Sequence, residues 1–341
     1  MLHVPDAHTT VEPVWNTACP DWERRILAGE SLVPGPPLFP EQAVAAVQVF
    51  RSLPVFDVPG RPTMGDVTGP WALDFVSSIF GAYDVDTGQR LINSFMLLVS
   101  SKNCRSTIGL GILLTALGLN RQERAEFLLL APTSEAATDR FGQVRSMVCK
   151  DPVLSELLQV QVGTRTIVHR QTGATLKMIG PNSDLTGKTV HGIVVDGLEV
   201  FGQRTDTDDV LREAAGCVAA RPDGFMVYLA TQASGPPRRM FRSLLDYARL
   251  VRDGVLTDRR FLPVLYEFPA ALLKAEKHQD PAHFYITNPN LGRSIDLPFL
   301  EREHAKATVL GPQDLRWFQA RHLNVEHPVA GPAKRAVPQR G

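Results

Sequence analysis

The sequence has little of what marks several common protein classes. Its four cysteines form no Cys-x-x-Cys pair (Cys19, Cys104, Cys149 and Cys217). Such scattered cysteines predict neither a zinc site nor a disulfide framework and are typical of a reduced cytoplasmic protein. Lys plus Arg and Asp plus Glu both number 36, so the formal net charge is zero. This balance gives no sign of nucleic-acid binding, although a local basic face is still compatible with it.

Long hydrophobic runs are also lacking. The most apolar stretch, residues 91–117, is interrupted by Lys102 and Arg105 and does not predict a membrane span. The first residues include Asp6 and Glu12 and lack the basic start and apolar run of a signal peptide. We therefore expect no membrane association and a cytoplasmic location.

What is present is an alternation of short apolar runs and amphipathic helices from residue 95 onward. Apolar strands are predicted over residues 95–100, 126–131, 192–196, 224–231 and 262–268, with a hairpin over 166–179. Helices are predicted over residues 106–117, ended by Gly118, and over 134–149, 206–220 and 239–253. This pattern predicts an α/β fold with a doubly wound, mostly parallel sheet. Ligands of such sheets bind at the carboxyl ends of the strands, here after Ser100, Asp196 and Thr231.

The first of these loops, residues 99–107, has features of a phosphate loop. A phosphate loop needs backbone amides at a helix N-terminus, a cation for the phosphates and a hydroxyl for magnesium. Lys102, Arg105 and Ser106 supply the cations and the hydroxyl. However, Cys104 stands where glycine usually precedes the cation, and Arg105 replaces lysine. On spacing alone, an ordinary helix N-terminus explains the segment better.

The other two loops carry carboxylate and amide groups. The strand over residues 192–196 ends at Asp196, a typical way to present a carboxylate to hydrated Mg²⁺, and Glu199 follows as a candidate to orient a water molecule. A buried strand ended by an Asp-Gly turn explains this segment about as well. Thr231 and Gln232 follow another strand, where they could sense a γ-phosphate or simply form a turn.

One apparent motif is not expected to bind nucleotide. Residues 186–189, Thr-Gly-Lys-Thr, look like the end of a phosphate loop, but Asn182 occupies the position of the first glycine. The segment precedes a strand, whereas a phosphate loop must open a helix. We therefore expect a solvated loop around Lys188.

Taken in order, these segments resemble the large terminase subunit of tailed phages, over roughly residues 65–325. Further matching segments are residues 70–71, 79–81, 130–133, 228–232, 245–248, 265–269, 288–292 and 322–325. The order and spacing of the segments carry the resemblance, rather than any one motif.

The resemblance implies the additional-strand type of P-loop ATPase domain, which couples ATP hydrolysis to translocation of double-stranded phage DNA. It also implies ATP and Mg²⁺ as cofactors, a portal protein and a small terminase subunit as partners, a ring of identical subunits, and the host cytoplasm as location. The residues to which it assigns nucleotide binding are Lys102, Asn103, Arg105, Ser106 and Thr107. It implies that Ser106 and Asp196 hold Mg²⁺, that Glu199 orients water, and that Thr231 and Gln232 couple hydrolysis to movement.

The sequence departs from the family pattern at these motifs. The family loop commonly reads Pro-Arg-Lys-Asn-Gly-Lys-Ser, and its leading arginine, glycine and lysine are all changed in residues 100–106. Gly197 stands where the catalytic glutamate follows the aspartate; Glu199 would face the same side as residue 197 if the chain were extended there. We therefore expect a packaging ATPase with impaired motifs; the alternative is a non-catalytic prophage remnant or accessory protein that retains the ATPase fold.

The predicted organisation has four parts. Residues 1–60 form an N-terminal arm or adaptor, 61–270 the terminase-like ATPase domain, 271–327 a linker toward a nuclease domain, and 328–341 a disordered basic tail. The carboxylates of a nuclease core would follow the region around residue 324, and the tail contains no Asp or Glu. Nuclease activity is therefore not expected.

Overall fold

The computed structural model describes residues 15–56, 58–203, 207–235 and 238–327. The first 14 residues of the predicted N-terminal arm and the predicted basic tail, residues 328–341, lie outside the described residues. Within the described ranges, no helix is long and apolar enough to cross a membrane.

The described chain alternates strands and helices over most of its length. The strands are β1 (Tyr83–Asp84), β2 (Gln89–Arg90), β3 (Ser94–Leu98), β4 (Glu126–Leu130), β5 (Leu158–Gln161), β6 (Thr166–His169), β7 (Thr175–Ile179), β8 (Gly192–Asp196), β9 (Phe225–Ala230) and β10 (Phe261–Leu265). The helices are α1 (Trp22–Ala28), α2 (Pro40–Ser52), α3 (Met64–Val67), α4 (Pro70–Phe80), α5 (Arg105–Leu119), α6 (Ser134–Lys150), α7 (Pro152–Leu157), α8 (Leu198–Phe201), α9 (Asp208–Ala219), α10 (Arg239–Arg252), α11 (Ala270–Lys274), α12 (Leu297–Leu310) and α13 (Pro312–Leu323). Two 3₁₀ helices, Lys277–Gln279 and Pro281–Thr287, lie between α11 and α12.

An eight-stranded sheet forms the centre of the fold, with strand order β10-β3-β9-β8-β4-β7-β6-β5. The strands from β10 to β7 are parallel, and β6 and β5 pair antiparallel at one edge. This arrangement confirms the predicted fold class. The strand β9 lies between β3, which leads into the candidate phosphate loop, and β8, which ends at Asp196.

The central strands are buried because helices cover both faces of the sheet. All residues of β8, β9 and β10 are buried, as a parallel sheet covered on both sides requires. The helix α5 lies against one face and is itself buried from Ile108 to Leu117 by α2 on its other side. It continues to Leu119 and is followed by Asn120, so the prediction that Gly118 ends it is wrong.

Two glycines allow α5 to approach its neighbours closely. A Cβ atom on Gly109 would lie 2.7 Å from the Leu229 Cδ1 atom, and one on Gly111 would lie 2.6 Å from the buried Phe50 ring. Real Cβ atoms essentially never come this close to another heavy atom. Since α5 begins at the candidate phosphate loop, these contacts also set the position of that loop.

The variant Gly111→Ala is expected to lower the free energy of unfolding by about 1–3 kcal/mol, because the added methyl group must displace Phe50. The matched control is Gly142→Ala in the exposed part of α6, where an added Cβ meets nothing within 4 Å. That control is expected to be neutral or to stabilise by up to about 1 kcal/mol. Urea unfolding monitored by circular dichroism measures both. Equal stability of the two variants would contradict the described packing of α5.

Candidate nucleotide-binding site

The loop between β3 and α5 makes the tight turn that a phosphate loop requires. Cys104 immediately precedes α5 with φ 57° and ψ 18°, and Lys102 has φ 74°. Both conformations are left-handed, which costs a residue other than glycine about 1 kcal/mol. The position of Cys104 therefore has the backbone conformation that suits the expected glycine, and the cysteine adopts it.

Ser106 and Asp196 meet at the carboxyl edge of the sheet. Ser106 lies in the first turn of α5, and Asp196 is the last residue of β8. The Ser106 hydroxyl donates a hydrogen bond of 2.8 Å to the Asp196 Oδ1 atom. The two residues are 90 positions apart in the sequence, and the parallel topology brings them together as predicted.

Arg105 points into the same cluster. Its Nη1 atom donates to the Glu199 Oε1 atom and to the Thr231 hydroxyl, both at 2.8 Å. Its Nη2 atom lies 3.6 Å from the Asp196 Oδ1 atom. The guanidinium group thus lies among two carboxylates and a hydroxyl. In this conformation its Nη1 donors are engaged by protein groups.

Glu199 reaches the cluster by a different route from the predicted one. The chain after Asp196 is not extended, because Gly197 turns it with φ 89° into the short helix α8. The prediction that Glu199 faces the same side as residue 197 along an extended chain is therefore wrong. Glu199 is buried, and its Oε2 atom accepts a hydrogen bond of 3.2 Å from the Thr231 amide.

Arg140 is a member of this cluster that the sequence analysis missed. Its Nε atom donates to the Asp196 Oδ2 atom at 2.7 Å, and its Nη2 atom donates to the Ser106 hydroxyl at 2.9 Å. The sequence assigns this residue only to an amphipathic helix. No local pattern distinguishes it from Arg145 on the same helix, which is exposed.

The two arginines determine the ionisation of the cluster. Burial alone would raise the pKa of Asp196, but the guanidinium groups of Arg105 and Arg140 and the hydrogen bonds from Arg140 and Ser106 hold this pKa below its usual range. Burial likewise disfavours the charged form of Arg105, and the carboxylates of Glu199 and Asp196 outweigh it and raise the pKa of Arg105. Asp196 and Arg105 are therefore both charged at neutral pH.

The Asn103 side chain links the candidate phosphate loop to the segment around residues 288–290. It is buried, and its side-chain amide donates to the Ser100 carbonyl at 3.0 Å and to the Asn288 Oδ1 atom at 2.9 Å. Its Oδ1 atom accepts from the Asn290 amide at 3.0 Å. These contacts give the Asn103 side chain a structural role in the loop.

Residues beyond 287 hold the loop at further points. The Ser101 amide donates to the Arg321 carbonyl at 2.7 Å, and the Ser294 hydroxyl donates to the Lys102 carbonyl at 2.6 Å. The segment predicted as a linker, residues 271–327, thus packs directly against the candidate phosphate loop. A movement of α13 or of the segment around Ser294 would therefore break hydrogen bonds to this loop.

Thr231 and Gln232 connect the cluster to the same C-terminal segment. The Thr231 hydroxyl donates to the Val99 carbonyl at 2.8 Å, which ties β9 to the start of the loop. The Gln232 amide donates to the Asn324 Oδ1 atom at 3.0 Å. The buried Gln232 Nε2 atom has no hydrogen-bond partner among the described residues.

A cleft of about 470 Å³ opens beside the loop. Thr107 and Leu110 of α5 line one side, α6 lines the other with Arg140 and Met147, and Phe56 contributes from the N-terminal segment. Of the predicted nucleotide-binding residues, Thr107 therefore faces this cleft. Lys102 is exposed.

The cluster offers a magnesium ion few free ligands. Within the described ranges, no three or more His, Cys, Asp or Glu side chains form a group that could hold a metal ion. A hydroxyl and a carboxylate are suitable ligands for Mg²⁺. In this structure, however, the Arg140 guanidinium bridges them, so the arrangement as it stands does not fit the ion.

The fold is similar to that of a solved phage protein. The crystal structure of the HK97 bacteriophage large terminase superposes with a TM-score of 0.69 at 18% sequence identity, covering 84% of this chain and 55% of that one. The large terminase ATPase domain of Thermus phage P74-26 also matches (TM-score 0.37, 13% identity, 57% of this chain and 82% of that one), but a score this low carries no argument. No protein-family model and no curated protein matches the sequence.

The fold and site together define a class: an α/β domain with a mostly parallel sheet, a phosphate-loop-like turn, and a strand inserted between that loop's strand and the acidic strand. Within this class, the chain has the fold of a phage large terminase, and the resemblance predicted from the sequence is confirmed at the level of the fold. The chain spans about half the length of the HK97 large terminase.

Proposed function

We propose that the chain is a nucleotide-binding module of the terminase ATPase type, which binds ATP at the loop between β3 and α5. The observation that carries this proposal is the 2.8 Å contact between the Ser106 hydroxyl and the Asp196 carboxylate at the N-terminus of α5. The first amides of a helix have no partner within the helix, and together with the helix dipole they favour an anion there. A nucleotide with its phosphates at this point would have its base in the adjoining cleft.

The cleft suits a nucleobase in shape and chemistry. Phe56, Leu110 and Met147 provide apolar surface, and Gln143 and Ser146 provide polar groups at its wall. Binding sites for small molecules commonly combine a largely apolar lining with a few polar groups. Lys102 and Arg105 would contact the phosphates. Arg105 would first give up some of its present hydrogen bonds to Glu199 and Thr231.

The finer assignments follow from the same proposal. The module would act on double-stranded phage DNA during packaging, in a ring of identical subunits with a portal protein and a small terminase subunit, in the host cytoplasm. Glu199 would orient the attacking water. Thr231 and Gln232 would couple hydrolysis to movement, Thr231 through its hydrogen bond to Val99 at the start of the phosphate loop and Gln232 through its hydrogen bond to Asn324 in the C-terminal segment.

A second candidate function is a non-catalytic accessory protein that retains the ATPase fold. One observation favours it: both carboxylates needed for hydrolysis, Asp196 and Glu199, are held by guanidinium groups at 2.7 and 2.8 Å. A carboxylate engaged in this way is less free to orient a water molecule. Both candidate functions include nucleotide binding, and only the ATPase module would hydrolyse the bound ATP.

The variant Lys102→Glu is expected to weaken ATP binding at least tenfold, about 1.4 kcal/mol, because it reverses a charge beside the phosphates. The matched control is Lys188→Glu, which makes the same charge change at an exposed lysine. Lys188 precedes β8 and therefore lies at the amino ends of the parallel strands, away from the candidate phosphate loop at their carboxyl ends. Titration with a fluorescent ATP analogue measures both. Equal affinities, or a larger effect at Lys188, would contradict the placement of the phosphates.

A further inference from the structure

Arg140 occupies the place between a hydroxyl and a carboxylate that a divalent cation would otherwise take. Its guanidinium spans the Asp196 Oδ2 atom at 2.7 Å and the Ser106 Oγ atom at 2.9 Å. The Asp196 Oδ1 atom accepts the Ser106 hydroxyl at 2.8 Å. Both carboxylate oxygens and the hydroxyl are therefore already hydrogen-bonded to one another or to the guanidinium.

A magnesium ion would have to displace this side chain. Mg²⁺ binds oxygen ligands at about 2.0–2.1 Å in near-octahedral geometry. The Ser106 oxygen donates its proton to Asp196 and accepts from Arg140, so its bonding capacity is largely used. The geometry thus favours the guanidinium over a hydrated ion at this point.

The charge of the cluster leads to the same conclusion. Two carboxylates, Asp196 and Glu199, face the guanidinium groups of Arg105 and Arg140, and that of Arg321 lies 3.9 Å from the Glu199 Oε1 atom. These five groups carry a net positive charge without any metal. A cluster with a net positive charge can bind phosphate without an added metal ion, because the guanidinium fork of arginine matches the geometry of phosphate oxygens well.

We propose that this site binds a nucleoside polyphosphate without a divalent cation, with the Arg140 guanidinium in the place of the metal. This inference rests on the proposed function, because it concerns the same site. Arg140 lines the cleft and its side chain is 24% exposed, so it can contact a bound phosphate while it keeps its hydrogen bonds to Asp196 and Ser106.

Calorimetric titration of the full chain with ATP, once with excess Mg²⁺ and once with EDTA, tests the proposal. The native chain is expected to bind with affinities that differ by less than threefold. The variant Arg140→Ala is expected to lose at least tenfold in EDTA and to recover part of that loss with Mg²⁺. Arg140→Lys keeps the charge and is expected to remain independent of Mg²⁺. Arg145→Ala, at an exposed position of the same helix, is expected to behave as the native chain.

The outcomes separate the two proposals. Binding by the native chain only with Mg²⁺ would overturn the metal-free inference and leave the proposed nucleotide site intact. Binding in EDTA that Arg140→Ala does not weaken would also overturn it, since another group would then replace the metal. No ATP binding by the native chain in either buffer would overturn both proposals. Circular dichroism of each variant confirms that a loss of binding is not a loss of fold.

Discussion

Replacing Asp196 with alanine is expected to lower the free energy of unfolding by about 3 kcal/mol. The carboxylate is 3% exposed and compensates the charges of Arg105 and Arg140. Among the described residues, its removal leaves the Arg140 guanidinium without a carboxylate partner and Arg105 with Glu199 alone. The figure is at the low end for a broken buried ion pair, because the Arg140 side chain is partly exposed.

Chemical unfolding of the native chain, Asp196→Ala and Asp139→Ala measures this effect. Asp139 is an exposed neighbour of Arg140, and its replacement is expected to change stability by no more than about 0.5 kcal/mol. The pKa of Asp196 is lowered in the folded state, so its contribution is fully present above the ordinary carboxyl pKa of about 4 and is lost as the pH falls through the lowered value. The difference in the free energy of unfolding between the native chain and Asp196→Ala should therefore decrease as the pH falls into the acid range. An Asp196→Ala variant as stable as the native chain at pH 7 would contradict the described ion pairs.

Hydrolysis of ATP by the native chain is expected to be slower by a factor on the order of 10² to 10⁴ than that of a site with a free catalytic carboxylate. The reason is the state of Glu199, which accepts hydrogen bonds from Arg105 at 2.8 Å and from the Thr231 amide at 3.2 Å. Both carboxylate oxygens thus already accept hydrogen bonds from the protein, which leaves them less available to orient an attacking water. The variant Arg105→Lys shortens the side chain and removes the planar fork, which is expected to release Glu199 and raise turnover at least tenfold.

Steady-state phosphate release, with and without double-stranded DNA, measures this prediction for four chains: native, Glu199→Gln, Arg105→Lys and the double variant. Glu199→Gln is expected to change the rate little in the native background and to abolish the gain in the Arg105→Lys background. Robust DNA-stimulated hydrolysis by the native chain, abolished by Glu199→Gln, would instead make Glu199 an active catalytic residue and overturn the accessory-protein alternative.

The parts of the fold that could be predicted are those that local patterns determine. The strand β8 was predicted residue for residue, because a run of apolar residues ending in Asp-Gly has few alternatives. The hairpin of β6 and β7 followed from the turn at Thr172 and Gly173. The meeting of Ser106 and Asp196 followed from topology, since the carboxyl ends of parallel strands share one edge.

The parts that could not be predicted depend on distant contacts. Arg140 reaches Asp196 across 56 residues, and nothing near it in the sequence indicates its partner. Asn103 binds Asn288 across 185 residues, so the docking of the C-terminal segment had no local signal. The backbone conformation of Gly197 also had no signal in the sequence. Its φ of 89° ends the extended chain after Asp196, so Glu199 lies on the helix α8.

The conformation of Gly197 also bears on any repair of the catalytic pair. A glutamate at this position would have to adopt a φ of 89°, which strains any side chain, and its Cβ would lie 3.5 Å from the Arg105 Nη2 atom. The variant Gly197→Glu would therefore introduce backbone strain together with the carboxylate. In the present fold the nearest following acid, Glu199, lies on α8.

The central claim is that the loop between β3 and α5 binds the phosphates of a nucleotide. The structure of the chain determined with a slowly hydrolysed ATP analogue, in EDTA and in Mg²⁺, tests it most directly. The account predicts phosphate oxygens at the N-terminus of α5, the base in the cleft beside Met147, and Arg140 still bonded to Asp196 in both conditions. A nucleotide bound elsewhere, or none bound at saturating concentration, would contradict the claim.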